Sequence, residues 1–204
     1  MLQRRTLLSL PLAGVALPGC TRSRRQDEVF AWYLRPTLFE ALKAPTGEGP
    51  SRRPIRLVVA SQVSVASTFF SSADLPAQIK SVSAVHPSAV ADLLLHKEAT
   101  TQVQLPGSLL PSAMAVDYVS PQAQRAIFND GLGLGKAWDR FYKIYPGSGG
   151  LLTFSPVGFS VDGSQAVFAF AIGCGGLCGS GHVILMRRDG SGWVTQDEQQ
   201  LWVS

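Results

Sequence analysis

Three residues near the C-terminus have types and a spacing that could do chemistry: Cys174, Cys178 and His182, in Cys174-Gly-Gly-Leu-Cys178-Gly-Ser-Gly-His182. In an exported chain, two thiols four residues apart point first to a disulfide. So small a loop removes little chain entropy, so the bond would shape a turn more than hold the fold. It requires Cα atoms within about 7 Å. Together with His182 the thiols would make three potential metal ligands in a Cys-x3-Cys-x3-His spacing. A structural zinc site takes four, and no fourth lies near in sequence. A redox reading fails on spacing, because three residues intervene where thioredoxin-like pairs have two. On these grounds Cys174 and Cys178 are assigned to a disulfide, with no metal site and no cofactor.

Other chemistry-bearing residues form no recognisable set. The serines Ser61, Ser64, Ser67, Ser71 and Ser72 cluster, but none lies in a Gly-x-Ser-x-Gly elbow. His86 precedes Pro87 in a turn, and His96 ends a helix, where a cation is favoured by the dipole. Asp130, Asp162 and Asp189 sit beside glycine and read as turn formers. Gly131-Leu-Gly-Leu-Gly135 lacks dinucleotide spacing, and Lys136 is not followed by Ser or Thr, so neither phosphate-loop fingerprint is met. No catalytic residue is assigned, and the reading leans away from an enzyme.

The N-terminus reads as an address. Arg4 and Arg5 supply a positive end, Thr6–Leu17 an apolar segment interrupted by Pro11 and Gly14, and Leu17-Pro18-Gly19-Cys20 a processing site. The apolar stretch falls short of the roughly 20 residues needed to span a membrane. Leu17-Pro18-Gly19-Cys20 resembles a bacterial lipobox, which implies cleavage before Cys20 and a lipid on its sulfur. Several acyl chains buried at about 0.8 kcal/mol per methylene would anchor the chain stably. Gln3-Arg4-Arg5-Thr6-Leu7-Leu8 also resembles a twin-arginine export motif, with general secretion as the other route. Residues 1–19 are thus expected to be a cleaved signal peptide, and residues 20–27, with Arg22, Arg24 and Arg25, a polar tether between lipid and domain. Residues 28–204 would form one domain. The expected location is the bacterial cell envelope, membrane-anchored and facing the periplasm or exterior.

The bulk composition agrees with a folded domain. With 46% hydrophobic and 16% charged residues, a chain of 204 can bury a real core. The formal charge of +4 falls by two when Arg4 and Arg5 leave with the signal. No cluster of Lys and Arg survives in the body to bind nucleic acid.

The elements that must position any site follow from hydrophobic period and turn signals. A helix is predicted from Asp27 or Glu28, carrying Val29, Trp32, Tyr33 and Phe39 and broken at Pro36. Ala44–Pro54 reads as a loop and Ile55–Val65 begins as a strand. A single turn is expected at Asp74–Ile79, a helix at Ser88–Lys97, and strands at Thr101–Leu105 and Met114–Val119. Ser120-Pro121 is a good helix entry, and another helix is predicted over Lys136–Ile144. Four runs then read as an antiparallel meander: Leu151–Ser160, Gln165–Gly173, His182–Arg188 and Trp193 to about Val203. Asp162-Gly163 and Asp189-Gly190-Ser191-Gly192 mark two of its hairpins. The expected class is α+β, with N-terminal helices packed on a mostly antiparallel sheet that ends in this four-stranded meander.

Trp138-x-x-Phe141, Tyr145-Pro146-Gly147, Ser155-x-Val157-Gly158-Phe159, the glycine-rich turn and the terminal Trp202-Val-Ser204 together resemble a family of bacterial secreted proteins of unassigned activity. The resemblance covers about the last 70 residues, and Pro156 stands where the pattern carries a basic residue. It implies an architecture and no mechanism. The functional expectation is a non-catalytic binding or structural role on an envelope partner. Two alternatives stay open: an envelope hydrolase whose Ser, His and Asp are assembled by the fold, and an inhibitor or immunity-type protein.

Overall fold

The computed structural model describes residues 18–43, 56–64, 75–80, 82–112, 114–128, 131 and 133–204. Of residues 18–20, 38–43, 75, 76 and 80 it describes the backbone alone. Arg4 and Arg5, the Ala44–Pro54 loop and the serines Ser67, Ser71 and Ser72 lie outside the described residues. Five α-helices and seven strands follow in the order α1 (Pro18–Lys43), β1 (Arg56–Ala60), α2 (Leu75–Lys80), α3 (Pro87–His96), β2 (Ala115–Val119), α4 (Pro121–Phe128), α5 (Leu134–Ile144), β3 (Ser148–Phe154), β4 (Gly158–Phe159), β5 (Gln165–Gly175), β6 (Cys178–Asp189) and β7 (Gly192–Val203). The strands make one mostly antiparallel sheet in the order β2-β1-β3-β5-β6-β7, with β4 also paired to β5, so the fold is α+β.

The meander forms where the hairpin signals place it. Asp189 pairs with Gly192 across Gly190-Ser191, and Gly190 takes the positive φ of 56° that such a turn needs. Gly175 pairs with Cys178, leaving Gly176 and Leu177 as the two-residue turn between β5 and β6. The predicted run Leu151–Ser160 is broken into β3 and β4 at Ser155–Val157, because Pro156 has no N–H to give the ladder. Ser155 bridges the gap: its Oγ accepts from the Ala169 N–H at 2.8 Å and donates to the Pro156 carbonyl at 2.8 Å. Among the described residues, parallel pairing is confined to β1, which lies between β2 and β3 and runs parallel to both.

Both faces of the sheet are covered, and the period of two along the strands sorts the core into layers. Phe168, Phe170, Ile184 and Met186 point to the α1 side with Leu152 and Phe154. Val167, Ala169, Val183 and Leu185 point to the other side against Ala89, Val90 and Leu93 of α3. Val58 and Leu151 meet Ile127 of α4 and Phe141 of α5 on that same side. Helix α3 rests directly on β4, since a Cβ on Gly158 would run into the Ala89 carbonyl and Leu93.

Several expectations are corrected by the structure. Helix α1 begins at Pro18 rather than near Asp27, so the segment expected to be a polar tether is helical. It also runs through Pro36 without ending there. The exposed ring leaves the packing intact, and buried Phe30 and Leu34 hold the preceding turns. Thr101–Leu105 is not a strand: it contributes one isolated bridge, Gln62 to Gln102. This loop instead lies along α1. The Gln26 amide donates to Thr101 Oγ1 at 3.0 Å, while its carbonyl oxygen accepts from the Val157 N–H at 3.1 Å.

Asp27, the next residue of α1, is buried at 6% exposure, and its Oδ1 has no hydrogen-bond partner among the described residues. Burial raises its carboxyl from 3.8 to about 6, against the opposing effect of a hydrogen bond from the Gln104 backbone. The folded chain therefore holds this proton more tightly than the unfolded chain does. The resulting margin of stability is complete below the unfolded value, near pH 4, and is lost as pH rises through about 6. Replacing Asp27 by Asn is expected to abolish this fall in urea midpoint between pH 4 and 6. An unchanged pH profile in the variant would assign the titration to another group.

Candidate functional site

Among the described residues, two features of the α1 side of the sheet carry side chains suited to chemistry or binding. The first is a groove of about 760 Å³ between the second half of α1 and strand β7, lined by Trp32, Tyr33, Arg35, Trp193, Thr195 and Glu198 among others. Its size falls in the range of small-ligand clefts. Its wall is built by close approach. A Cβ on Gly192 would come within 2.6 Å of the Trp32 ring, so glycine at the start of β7 lets that indole lie against the strand. The Arg35 guanidinium stands 4.8 Å over the Trp32 ring, and that of Arg188 stands 5.4 Å over Trp193.

The second feature is a line of polar groups that starts at the groove. The Tyr33 hydroxyl faces Glu198 Oε1 at 3.4 Å. Burial first, and then the Glu198 carboxylate, push the Tyr33 phenol above its ordinary value, so it stays protonated. Glu198 Oε1 in turn lies 2.9 Å from His182 Nδ1, close enough for an ion pair but out of line for a hydrogen bond. His182 Nε2 meets Ser180 Oγ at 2.9 Å. Ser180 and His182 share a face of β6 because they are two residues apart. Glu198 reaches them from β7 across a ladder whose register shifts twice, between Gly181 and His182 and between Leu185 and Met186.

A serine beside a histidine beside a carboxylate is the arrangement that activates a nucleophile. The surroundings of Ser180 supply little else for acyl transfer. Ser180 pairs with Ile172 on one side and Val203 on the other, which commits this stretch of backbone to the sheet rather than to an oxyanion hole. Neither Ser180 nor His182 is among the residues lining the groove.

The other two histidines do structural work. His86 is the N-cap of α3: its Nδ1 accepts from the Ser88 N–H at 3.2 Å, and the Ser88 hydroxyl oxygen accepts from Val161 N–H at 3.0 Å. His96 Nδ1 donates to the Asp92 carbonyl at 2.8 Å, closing the last turn of α3. Asp162 accepts from Ser160 and Ser164 within its own turn, and those bonds lower its carboxyl to about 2.

Cys174 and Cys178 form the expected disulfide, with Cα atoms 5.0 Å apart. The bond closes the β5–β6 hairpin and takes both thiols away from any ligand set with His182. The hairpin is tied to α5, whose Tyr142 hydroxyl donates to the Cys174 carbonyl at 2.8 Å. At its tip Leu177 is 91% exposed. Cys20 lies in the first turn of α1, and its side chain is outside the described residues. Ser180 and Glu198 were invisible to sequence reasoning. The serine stands amid glycines, and the glutamate owes its place to the irregular β6–β7 register. Gly181 carries no side chain that would obstruct Trp202, whose ring fills the space a Cβ would take there.

No protein-family model matches the chain, and comparison with curated proteins and with solved structures finds no match either.

Replacing Cys174 and Cys178 together by Ser is expected to cost at most about 2 kcal/mol in a urea titration, the value for so short a loop. A variant that fails to fold would show that the bond holds much more than its own turn.

Proposed function

We propose that the protein is a lipid-anchored binding protein of the bacterial cell envelope. The observation that carries this reading is the Cys174–Cys178 bond in a chain whose first twenty residues have the parts of an export signal ending at Cys20. Such bonds form and persist outside the cytoplasm. A binding role is favoured over catalysis because the groove offers indole, phenol, guanidinium and carboxylate groups, while the serine–histidine pair lies outside its lining. That mixture suits a partner with both apolar and polar groups, and an envelope protein segment fits it.

The anchor and the oxidation state are read together by intact mass of the membrane-fraction protein, before and after thiol alkylation in denaturant without reductant. The expected species starts at Cys20, carries acyl mass and takes up no alkylating agent. A soluble product without acyl mass would overturn the anchor, and two alkylated thiols would overturn the oxidised hairpin.

A second reading, an envelope hydrolase, is favoured by one observation, the Ser180–His182–Glu198 line. It predicts that a fluorophosphonate probe labels Ser180 and that labelling falls at least tenfold in Ser180→Ala and His182→Ala. Labelling of the native protein no higher than in Ser180→Ala is the outcome expected of a binding protein.

A further inference from the structure

The chain between the proposed lipid and the folded body is almost absent. Arg22, two residues after Cys20, is locked to the body by three hydrogen bonds to two groups. Its Nη1 donates to Asp92 Oδ1 at 3.2 Å and its Nη2 to Asp92 Oδ2 at 3.0 Å, so α3 holds it as a fork. Its Nη2 also donates to the Val157 carbonyl at 2.7 Å. Arg25, one turn on, stands 4.4 Å over the Phe159 ring. Two residues of fully extended chain span at most about 7 Å, whereas a free tether of eight would reach about 28 Å.

The surface around this point is suited to lipid. Thr21, Arg22, Arg25 and Val161 line one shallow depression, and Val161 is 88% exposed at the tip of its turn. Leu95, 80% exposed, sits on α3 one turn beyond Asp92. Arg24 and Arg25 are exposed, while Arg22 is paired with Asp92. Asp162 puts one negative charge beside them, kept ionised by its hydrogen bonds from Ser160 and Ser164, and the two exposed arginines outnumber it. Apolar tips flanked by arginines match an anionic bilayer surface.

We propose that this face, centred on Thr21, Arg24, Arg25 and Val161, lies directly on the membrane, an inference that rests on lipidation at Cys20. The sheet then sets the orientation of everything else. Strand β5 starts at Gln165, just past the Val161 turn, and runs to Gly175. At about 3.3 Å per residue it puts the disulfide hairpin and Leu177 about 30 Å along the strand from that turn, at its opposite end. The hairpin therefore points outward, where a partner can reach it.

The test places an environment-sensitive fluorescent amino acid, by nonsense suppression, in place of Val161 or of Leu177 in the full chain, recovered from the membrane fraction, so that no third thiol meets the Cys174–Cys178 bond. Both sites are exposed, so neither label disturbs the core. Each protein is reconstituted in phosphatidylglycerol–phosphatidylethanolamine vesicles containing a headgroup spin-labelled lipid, after its acyl mass is recorded. The probe at 161 should be quenched at least threefold more than the probe at 177, with aqueous iodide giving the reverse order. Insertion of eight Gly/Ser residues between Cys20 and Thr21 should bring the ratio towards one. Equal quenching of the two probes in acylated protein would overturn the orientation while leaving the anchor standing. Absence of acyl mass would overturn the anchor and the orientation with it.

Discussion

The docking of α1 across one face of the sheet is the contact on which the remainder of the molecule depends. Phe30 stacks on Phe154 with ring centroids 4.2 Å apart and meets Phe168 edge-on at 5.2 Å. Tyr33 adds edge contacts to Phe168 and Phe170. Fully burying one phenylalanine side chain is worth about 1.5–3 kcal/mol. Without α1, the apolar α1-facing side of β3, β5 and β6 would be open to solvent. The groove and the Tyr33–Glu198 contact exist only because the same helix goes on to meet β7.

The opposite face has a different solution to the same problem. Strand β5 is buried from Ala166 to Ala171 without a polar residue, which is the signature of a strand covered on both sides. Helix α3 comes in close enough to use Gly158, and α4 and α5 cover the β1 side with an aromatic cluster in which Phe128, Trp138, Phe141, Tyr142 and Tyr145 contact one another. Small residues and aromatic rings thus divide the work. Glycine lets backbones approach where helices cross strands, and rings fill the wider gap beneath α4 and α5.

What could be read from sequence follows from how local each cause is. The β6–β7 hairpin and the Ser120 cap are legible because their determinants lie within four residues. Ser120 Oγ accepts from Ala123 N–H at 3.1 Å, as its position before Pro121 predicts. The start of α1 was not legible. Thr21–Asp27 looks like a solvated linker by composition, yet Arg22 and Gln26 find partners 70 and 131 residues away. The disulfide could be anticipated from the spacing of its cysteines together with the export signal. The contact of Glu198 with His182 could not, because two register shifts between β6 and β7 decide which side chains meet.

Asp92 shows why the N-terminal turn of α1 is fixed rather than frayed. Its carboxylate accepts from Arg22, lies 3.2 Å from His96 Nδ1, and accepts from the Phe159 N–H at 2.8 Å. One side chain therefore joins α1, α3 and β4. An isolated exposed ion pair would contribute little, but here the acceptor is only 23% exposed and also satisfies the Phe159 backbone N–H. Arginine rather than lysine suits the other side of this junction. Its planar fork can hold both carboxylate oxygens and still reach the Val157 carbonyl, which a single ammonium on a flexible stem could not do in one geometry. The polar knot thus takes over where the aromatic packing of α1 ends, and it brings rigid structure to within two residues of Cys20.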